Sequence, residues 1–404
     1  MNNKIKTALA GALLASASVS NAGIKWDAGE WTVDMSGNVN AFAIFSDSKD
    51  TSGPDGGLAA TQRRKDADSE SASLSTGTLP DWLGFTATTR QNDLDTSVTI
   101  SFQPGAGGTG ALQGGNSANA ETENRQAFLT FGDKSWGSVK VGKDLGIFGS
   151  TAILNDMTLL GVGAGNSTAG NTTTLGGIGT GYMYADWIGQ FAYTTPNMNG
   201  FSATLAITQP WNAGGDNSAA STGSTDEFGY QGQASFSWTG DFAGKVWGGF
   251  FSQEVTNIGT GVAGVTTSDR ANMYEAGVST SLMNVNLVAY AYSGEGVGTT
   301  GLLLQGFDTT GSSRDSDGGY VQATYVIPTG TKLGVSYGVS KLDDNAADAG
   351  TALVEENNRL TIGAYHPLTK HLNLVAEFSK VEAESHNGLE NEEDKFSVGA
   401  ILFF

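Results

Sequence analysis

From Val33 onward apolar and polar residues alternate. Val33, Met35, Val39, Ala41, Ala43 and Phe45 are apolar, and Thr32, Asp34, Ser36, Asn38 and Asn40 fall between them. Val98, Ile100 and Phe102 alternate with Thr99 and Ser101. The clearest run is Phe228, Tyr230, Gly232, Ala234, Phe236 and Trp238, interleaved with Gly229, Gln231, Gln233, Ser235 and Ser237. Later runs are Leu333 to Val339, Leu360 to Ala364 and Leu372 to Phe378, and the chain ends on Phe396, Val398, Ala400, Leu402 and Phe404. Period two is the mark of a strand with one apolar face. No window sustains apolar residues at 3.6 spacing, so the pattern predicts an all-β chain.

The breaks between runs come in two sizes. Short ones lie at Gln91-Asn92-Asp93, 132–137, 196–200, 239–244, Met283-Asn284, 328–330 and 366–370, each with the Gly, Asn, Asp or Pro chemistry of a tight hairpin. Long polar segments lie at 47–78, 103–124, 144–181, 209–226, 257–271, 293–318, 341–357 and 380–393. Seven short turns alternating with eight long loops give sixteen strands, with both chain ends on the short-turn side. Short turns opposite long external loops are the habit of outer-membrane β-barrels. A soluble sandwich has no reason to put every long loop on one side. Trp31, Trp82, Trp136, Trp187, Trp238, Trp247, Tyr274, Tyr292 and Tyr325 lie near strand ends and read as the aromatic girdles of a barrel in lipid.

The first 22 residues read differently. Lys4 and Lys6, the small apolar stretch Ala8 to Val19 and the Ser20-Asn21-Ala22 site form a secretory signal peptide. The expected organisation is therefore a signal peptide, 1–22, and a barrel domain, 23–404. Beyond residue 22 no stretch approaches the ~18 apolar residues of a transmembrane helix, which leaves strands as the spanning elements. The chain has no cysteine, hence no disulfide and no Cys-ligated metal. Its formal net charge is −20, which excludes the basic stripe of a nucleic-acid binder.

Three segments resemble the general Gram-negative porins, trimeric sixteen-stranded channels. LPDWLGF (Leu79 to Phe85) is similar to the second-strand signature of the neisserial and β-proteobacterial branch. NRQAFLTFGDKSWGSVKVGK (Asn124 to Lys143) is similar to that family's segment before the third loop, and SVGAILFF (Ser397 to Phe404) to its last strand. The resemblance implies a water-filled channel for passive diffusion of ions and small hydrophilic solutes, and a homotrimer in outer-membrane lipid and lipopolysaccharide. It also implies that Phe404 is the signal read by the barrel insertion machinery. In this family the third loop folds into the pore, its acids facing basic residues on the wall.

That pattern nominates Asp156, the only acid between Leu145 and Ala185, as the constriction carboxylate. Arg90 has parity opposite to Leu83, Phe85 and Ala87, so it is expected on the inner wall; facing lipid it would cost about 2–4 kcal/mol at the midplane. Lys140, between Val139 and Val141, reads as lumenal too. Arg125 matches the family's wall arginine by resemblance, although it shares parity with Ala127, Leu129 and Phe131. Lys143 stands where the family usually has Arg. No Lys or Arg occurs between Asp144 and Gly244, which predicts a mild cation preference. Acidic runs at Asp343 to Glu356 and Glu382 to Asp394 read as a solvated external surface, or as a place where divalent cations bridge to lipopolysaccharide. No other cofactor is expected. His366, His371 and His386 form no catalytic spacing, so no enzyme is expected. Trp136, Tyr182, Tyr184 and Trp187 keep open a sugar-specific uptake channel, and the Gly- and Thr-rich third loop keeps open a plugged structural barrel.

Overall fold

The structure, a computed structural model, describes residues 23–49, 53–59, 70–106, 123–166, 173–211, 227–259 and 266–404. The expected signal peptide lies outside the described residues.

β1 (Ile24–Ala28) and β2 (Trp31–Ser48) form the first hairpin, followed by β3 (Glu70–Ser75), β4 (Trp82–Gln91) and β5 (Leu94–Phe102). β6 (Ala127–Asp133) and β7 (Gly137–Leu145) lead into the third loop. That loop carries α1 (Ser150–Asn155), a 3-10 turn (Met157–Leu160) and a ribbon of β8 (Ala164–Asn166) and β9 (Thr174–Gly176). Then come β10 (Trp187–Thr194), β11 (Phe201–Thr208), β12 (Gly229–Trp238), β13 (Phe242–Gly259) and β14 (Thr266–Leu282). The last six are β15 (Val285–Glu295), β16 (Asp315–Val326), β17 (Lys332–Leu342), β18 (Val354–Pro367), β19 (Leu372–Ser385) and β20 (Glu390–Phe403).

Eighteen segments form one antiparallel sheet, closed by β20 on β2 from Asn38↔Phe403 to Ser48↔Glu393. β1 pairs with β2 just below that register, Ile24↔Met35, and so completes the last strand from the other end of the chain. β3 and β4 both pair with β2 and are one strand interrupted at residues 76–81. Two of the eighteen segments are thus extensions of others, and 18 − 2 leaves the sixteen strands that the alternation predicts. Closure leaves no sheet edge, which is what a β-structure in hydrocarbon requires.

The alternation sorts the side chains as expected. Val98, Ile100 and Phe102 are exposed on the outer face while Thr99 and Ser101 are buried inside. Two loops are shorter than the composition predicts. β13 and β14 run through most of 257–271, and β19 and β20 leave only 386–389 of the segment 380–393. In the latter the outer face turns polar, with Lys380, Glu382 and Glu384, while Val381 and Ala383 are buried on the inner face, so the hydrogen-bonded ladder continues after the outward apolar positions stop.

Candidate pore constriction

The third loop does not hang freely into the barrel; the wall binds its backbone. Buried N–H groups need acceptors, and four inward side chains supply them around the circumference. Gln231 on β12 accepts from Ile147 N (2.8 Å) and Phe148 N (2.9 Å). Glu275 on β14 accepts from Gly149 N (3.0 Å) and from the Tyr290 hydroxyl (2.9 Å). Gln322 on β16 accepts from Met157 N (2.7 Å) and donates to Asn155 O (2.9 Å). Glu377 on β19 accepts from Val162 N (2.7 Å), Gly163 N (2.9 Å) and the Tyr365 hydroxyl (2.6 Å). The tip docks on the interruption between β3 and β4: Thr78 N donates to Gly161 O (2.8 Å) and Thr174 N to Gly77 O (3.1 Å). Phe148, Ile153, Leu159, Tyr182 and Met183 pack on Trp247, Phe251, Met273, Tyr290 and Tyr320 of the wall. The loop therefore covers the inner face from β12 round to β19, and the uncovered arc runs from β4 through β7 to β10.

Asp156 does not line that uncovered space. It is 4% exposed and turned toward the wall behind the loop. Its carboxylate accepts from Thr158 N (2.9 Å), Thr158 Oγ1 (2.6 Å) and the Tyr182 hydroxyl (2.7 Å), and it lies 3.9 Å from the Arg359 guanidinium. Arg359, on β18, is fully buried and donates to Thr180 Oγ1 (3.2 Å) and Thr361 Oγ1 (2.7 Å). The loop's one acid is a tether, because removing it would strand a buried guanidinium without a counter-charge.

The four wall cations fall in four different places. Arg90 is on the inner face at the short-turn end of β4, bound to Asp95 (2.8 Å) and Asp133 (3.0 Å). Lys140 faces inward from β7, hydrogen-bonded to Asp144 and 5.0 Å from the Phe128 ring centroid. Lys143 shares the outer face of Val139 and Val141; its ammonium donates to Asn124 O (2.8 Å), so it is a rim residue. Arg125 lies just beyond β6, buried between Glu123 (2.7 Å) and the Trp187 ring (5.8 Å to the centroid). Phe404 closes the seam: Gly37 N donates to its carbonyl (2.8 Å) and Phe404 N to Gly37 O (2.9 Å). Of the girdle candidates, Trp31, Trp136, Tyr274 and Tyr325 are exposed, but Trp247 and Tyr292 are buried inside. Trp82 points inward as well, on the parity of Thr86 and Arg90.

Sequence reasoning overlooked Arg359, Glu275 and Glu377. Their signal is parity: Arg359 alternates with Leu360 and Ile362, and Glu377 with Ala376 and Phe378. Some inner charges are paired, as in Lys140–Asp144, Arg359–Asp156 and Lys395–Glu393 (3.3 Å), while Glu275 and Glu377 are held by neutral donors and the Lys332 ammonium lies over the Tyr365 ring (4.4 Å to the centroid).

The external mouth is different. At the loop ends of β17 to β20, Asp343, Asp344, Glu355, Glu356, Glu382, Glu384, Glu390 and Glu392 face three lysines, Lys49, Lys341 and Lys380. Among the described residues no three His, Asp or Glu side chains converge to hold a metal ion. Asp216 and Asp226 lie outside the described residues. Beside this rim the sixth and seventh loops are clamped. Arg314 grips Asp348 with Nε (2.9 Å) and Nη2 (2.7 Å), and Asn345 donates to Asp308 (3.2 Å). Burial pushes the Asp348 carboxyl up, but the Arg314 and Asn345 hydrogen bonds prevail and hold it below the ordinary carboxylate range.

A family profile described as Gram-negative porin matches residues 7–386. No curated protein matches. Among solved structures, the outer membrane channel DcaP of Acinetobacter baumannii superposes with a TM-score of 0.66 at 16% identity, covering 95% of this chain and 100% of its own. The anion-selective porin from Comamonas acidovorans gives 0.62 at 15%, covering 93% and 100%. Salmonella typhi OmpF in complex with daunomycin gives 0.59 at 15%, covering 94% and 100%.

Proposed function

The chain belongs to the Gram-negative porin family, and on that footing we propose that it is a passive channel for ions and small hydrophilic solutes, with a mild cation preference set at its external mouth. One observation carries the selectivity: the barrel interior holds charges of both signs, whereas the rim has carboxylates in clear excess over lysines. A negative rim concentrates cations before they reach the narrow section. The Comamonas porin is described as anion-selective; the rim described here carries the charge that favours cations.

We read the working form as a homotrimer, exported by a cleaved signal peptide and inserted by machinery that reads the C-terminal Phe404. Catalysis is no part of this reading. His366 is hydrogen-bonded to Thr331 (2.9 Å) and His386 to the Leu342 carbonyl (2.8 Å), which are structural roles. Divalent cations shared with lipopolysaccharide remain the reading for the acidic rim in the cell, by single carboxylates and not by a preformed cage.

The test is reversal potential in planar bilayers under a tenfold KCl gradient, at low salt and again near 1 M. Cation selectivity that fades as the screening length falls from about 10 Å at 0.1 M to about 3 Å at 1 M is the expected result. Anion selectivity, or cation selectivity indifferent to salt, would place the filter elsewhere. Silence from correctly folded barrels would overturn open diffusion in favour of a plugged structural barrel.

A further inference from the structure

The narrow section carries a feature that charge does not explain. Along the uncovered arc, Leu83, Phe85 and Ala87 pair with the outward Phe102, Ile100 and Val98, so Trp82 and Gly84 face the lumen. The Trp82 indole lies over Gly84: a Cβ there would come within 2.9 Å of both Cζ2 and Nε1. The ring is half-buried, and its Nε1–H is buried with no hydrogen-bond partner. The third loop's incompletely buried side chains include Leu154, Asn155 and Leu160, with no charge among them. The neighbouring aromatic on the arc, Phe128, already has the Lys140 ammonium over its face, whereas Trp82 is in none of the described cation–π contacts.

We propose that Trp82 is a stacking platform in the narrow section for neutral solutes that present a flat C–H face and a hydroxylated edge, the geometry of a pyranose sugar. This rests on the channel reading above. An indole held flat against the wall over a glycine has its orientation fixed by the backbone and offers one broad apolar face to the path. Leu154 and Leu160 leave part of the third loop's surface apolar, and the Asn155 side-chain oxygen can accept from hydroxyls while its N–H is held by the Thr151 carbonyl (2.7 Å). A solute of the same size without a flat face gains less from such a surface, because dispersion contacts need close parallel approach.

The test compares glucose with sorbitol in liposome swelling, since the two are neutral, nearly equal in size and blind to the acidic rim. In the unmodified protein, low glucose concentrations are expected to saturate glucose entry while sorbitol entry stays linear. The glucose-to-sorbitol ratio at low concentration should exceed unity by about two- to tenfold, the range an aromatic contact supplies. Trp82→Ala should abolish the ratio and the saturation while KCl conductance holds or rises. Gly84→Ala, which keeps the ring and pushes it off the wall, should lower the ratio as well. A ratio near unity in the unmodified protein, or one unchanged in both variants, overturns the platform while leaving the channel standing. Loss of KCl conductance in the unmodified protein would sink the channel reading instead.

Discussion

The Asp156–Arg359 contact gives the sharpest test of how the third loop is held. At 3.9 Å and an effective dielectric near 20, the attraction is about 4 kcal/mol. Asp156→Asn removes it and leaves a fully buried guanidinium with two hydroxyl acceptors, Thr180 and Thr361. An uncompensated buried charge costs about 3–5 kcal/mol, although the amide oxygen keeps part of the Tyr182 or Thr158 bonding. We expect loop docking to weaken by about 2–4 kcal/mol, a rise of about 30- to 1,000-fold in the undocked fraction. The chain has no cysteine, so Ala152→Cys, at a position with no exposure, gives a unique reporter. Its maleimide labelling rate follows the undocked population when opening is fast. In that background Asp156→Asn should accelerate labelling by the factor above. Arg359→Met should do so less, because Asp156 keeps three donors. The double variant should return to within about tenfold of the parent, since neither charge is then stranded. Unchanged labelling in Asp156→Asn, or strictly multiplicative effects in the double variant, would refute the tether.

Two further outcomes concern the mouth and the seam. Asp348 has its folded pKa depressed below the ordinary 3.8, so its contribution to the clamp between the sixth and seventh loops is fully present above about pH 4 and lost as pH falls below it; proteolysis of the sixth loop after acid pulses should rise below pH 4, and Asp348→Asn should raise it at neutral pH and flatten the profile. Deleting Phe404 removes both main-chain bonds to Gly37, whereas Phe404→Ala removes only the ring; heat-shift electrophoresis of refolded protein should show the deletion melting lower than the substitution, while insertion yield in cells should fall more for the substitution if a C-terminal ring is the signal, because the deletion leaves Phe403 at the end.

The strands were legible because lipid imposes its rule residue by residue: each outward position must be apolar wherever it sits, and local alternation records that. The same parity placed Arg90 and Lys140 inside. Trp82 shows the rule applied too loosely, since its parity with Arg90 was readable, yet its place near a strand end suggested a girdle. Asp156 shows a real limit. Whether a lone loop acid faces the pore or the wall depends on Arg359, and no local pattern near 156 contains that information. Loop length was overestimated at 380–393 for a different reason: the outward positions there are Lys380, Glu382 and Glu384, and the apolar face, Val381 and Ala383, has moved to the inside.

The seam described at β1, β2 and β20 makes the barrel a structure that cannot be finished early. The strand that closes it is assembled from the two ends of the chain, with Ile24–Ala28 seated beneath the register that Phe403 begins. Until the last residues arrive, every partial sheet carries two open edges, each a row of unpaired backbone groups with no tolerable home in hydrocarbon. Closure joins the first segments of the barrel to the last, and a chain that lacks β20 leaves one edge of β2 open along Asn38–Ser48.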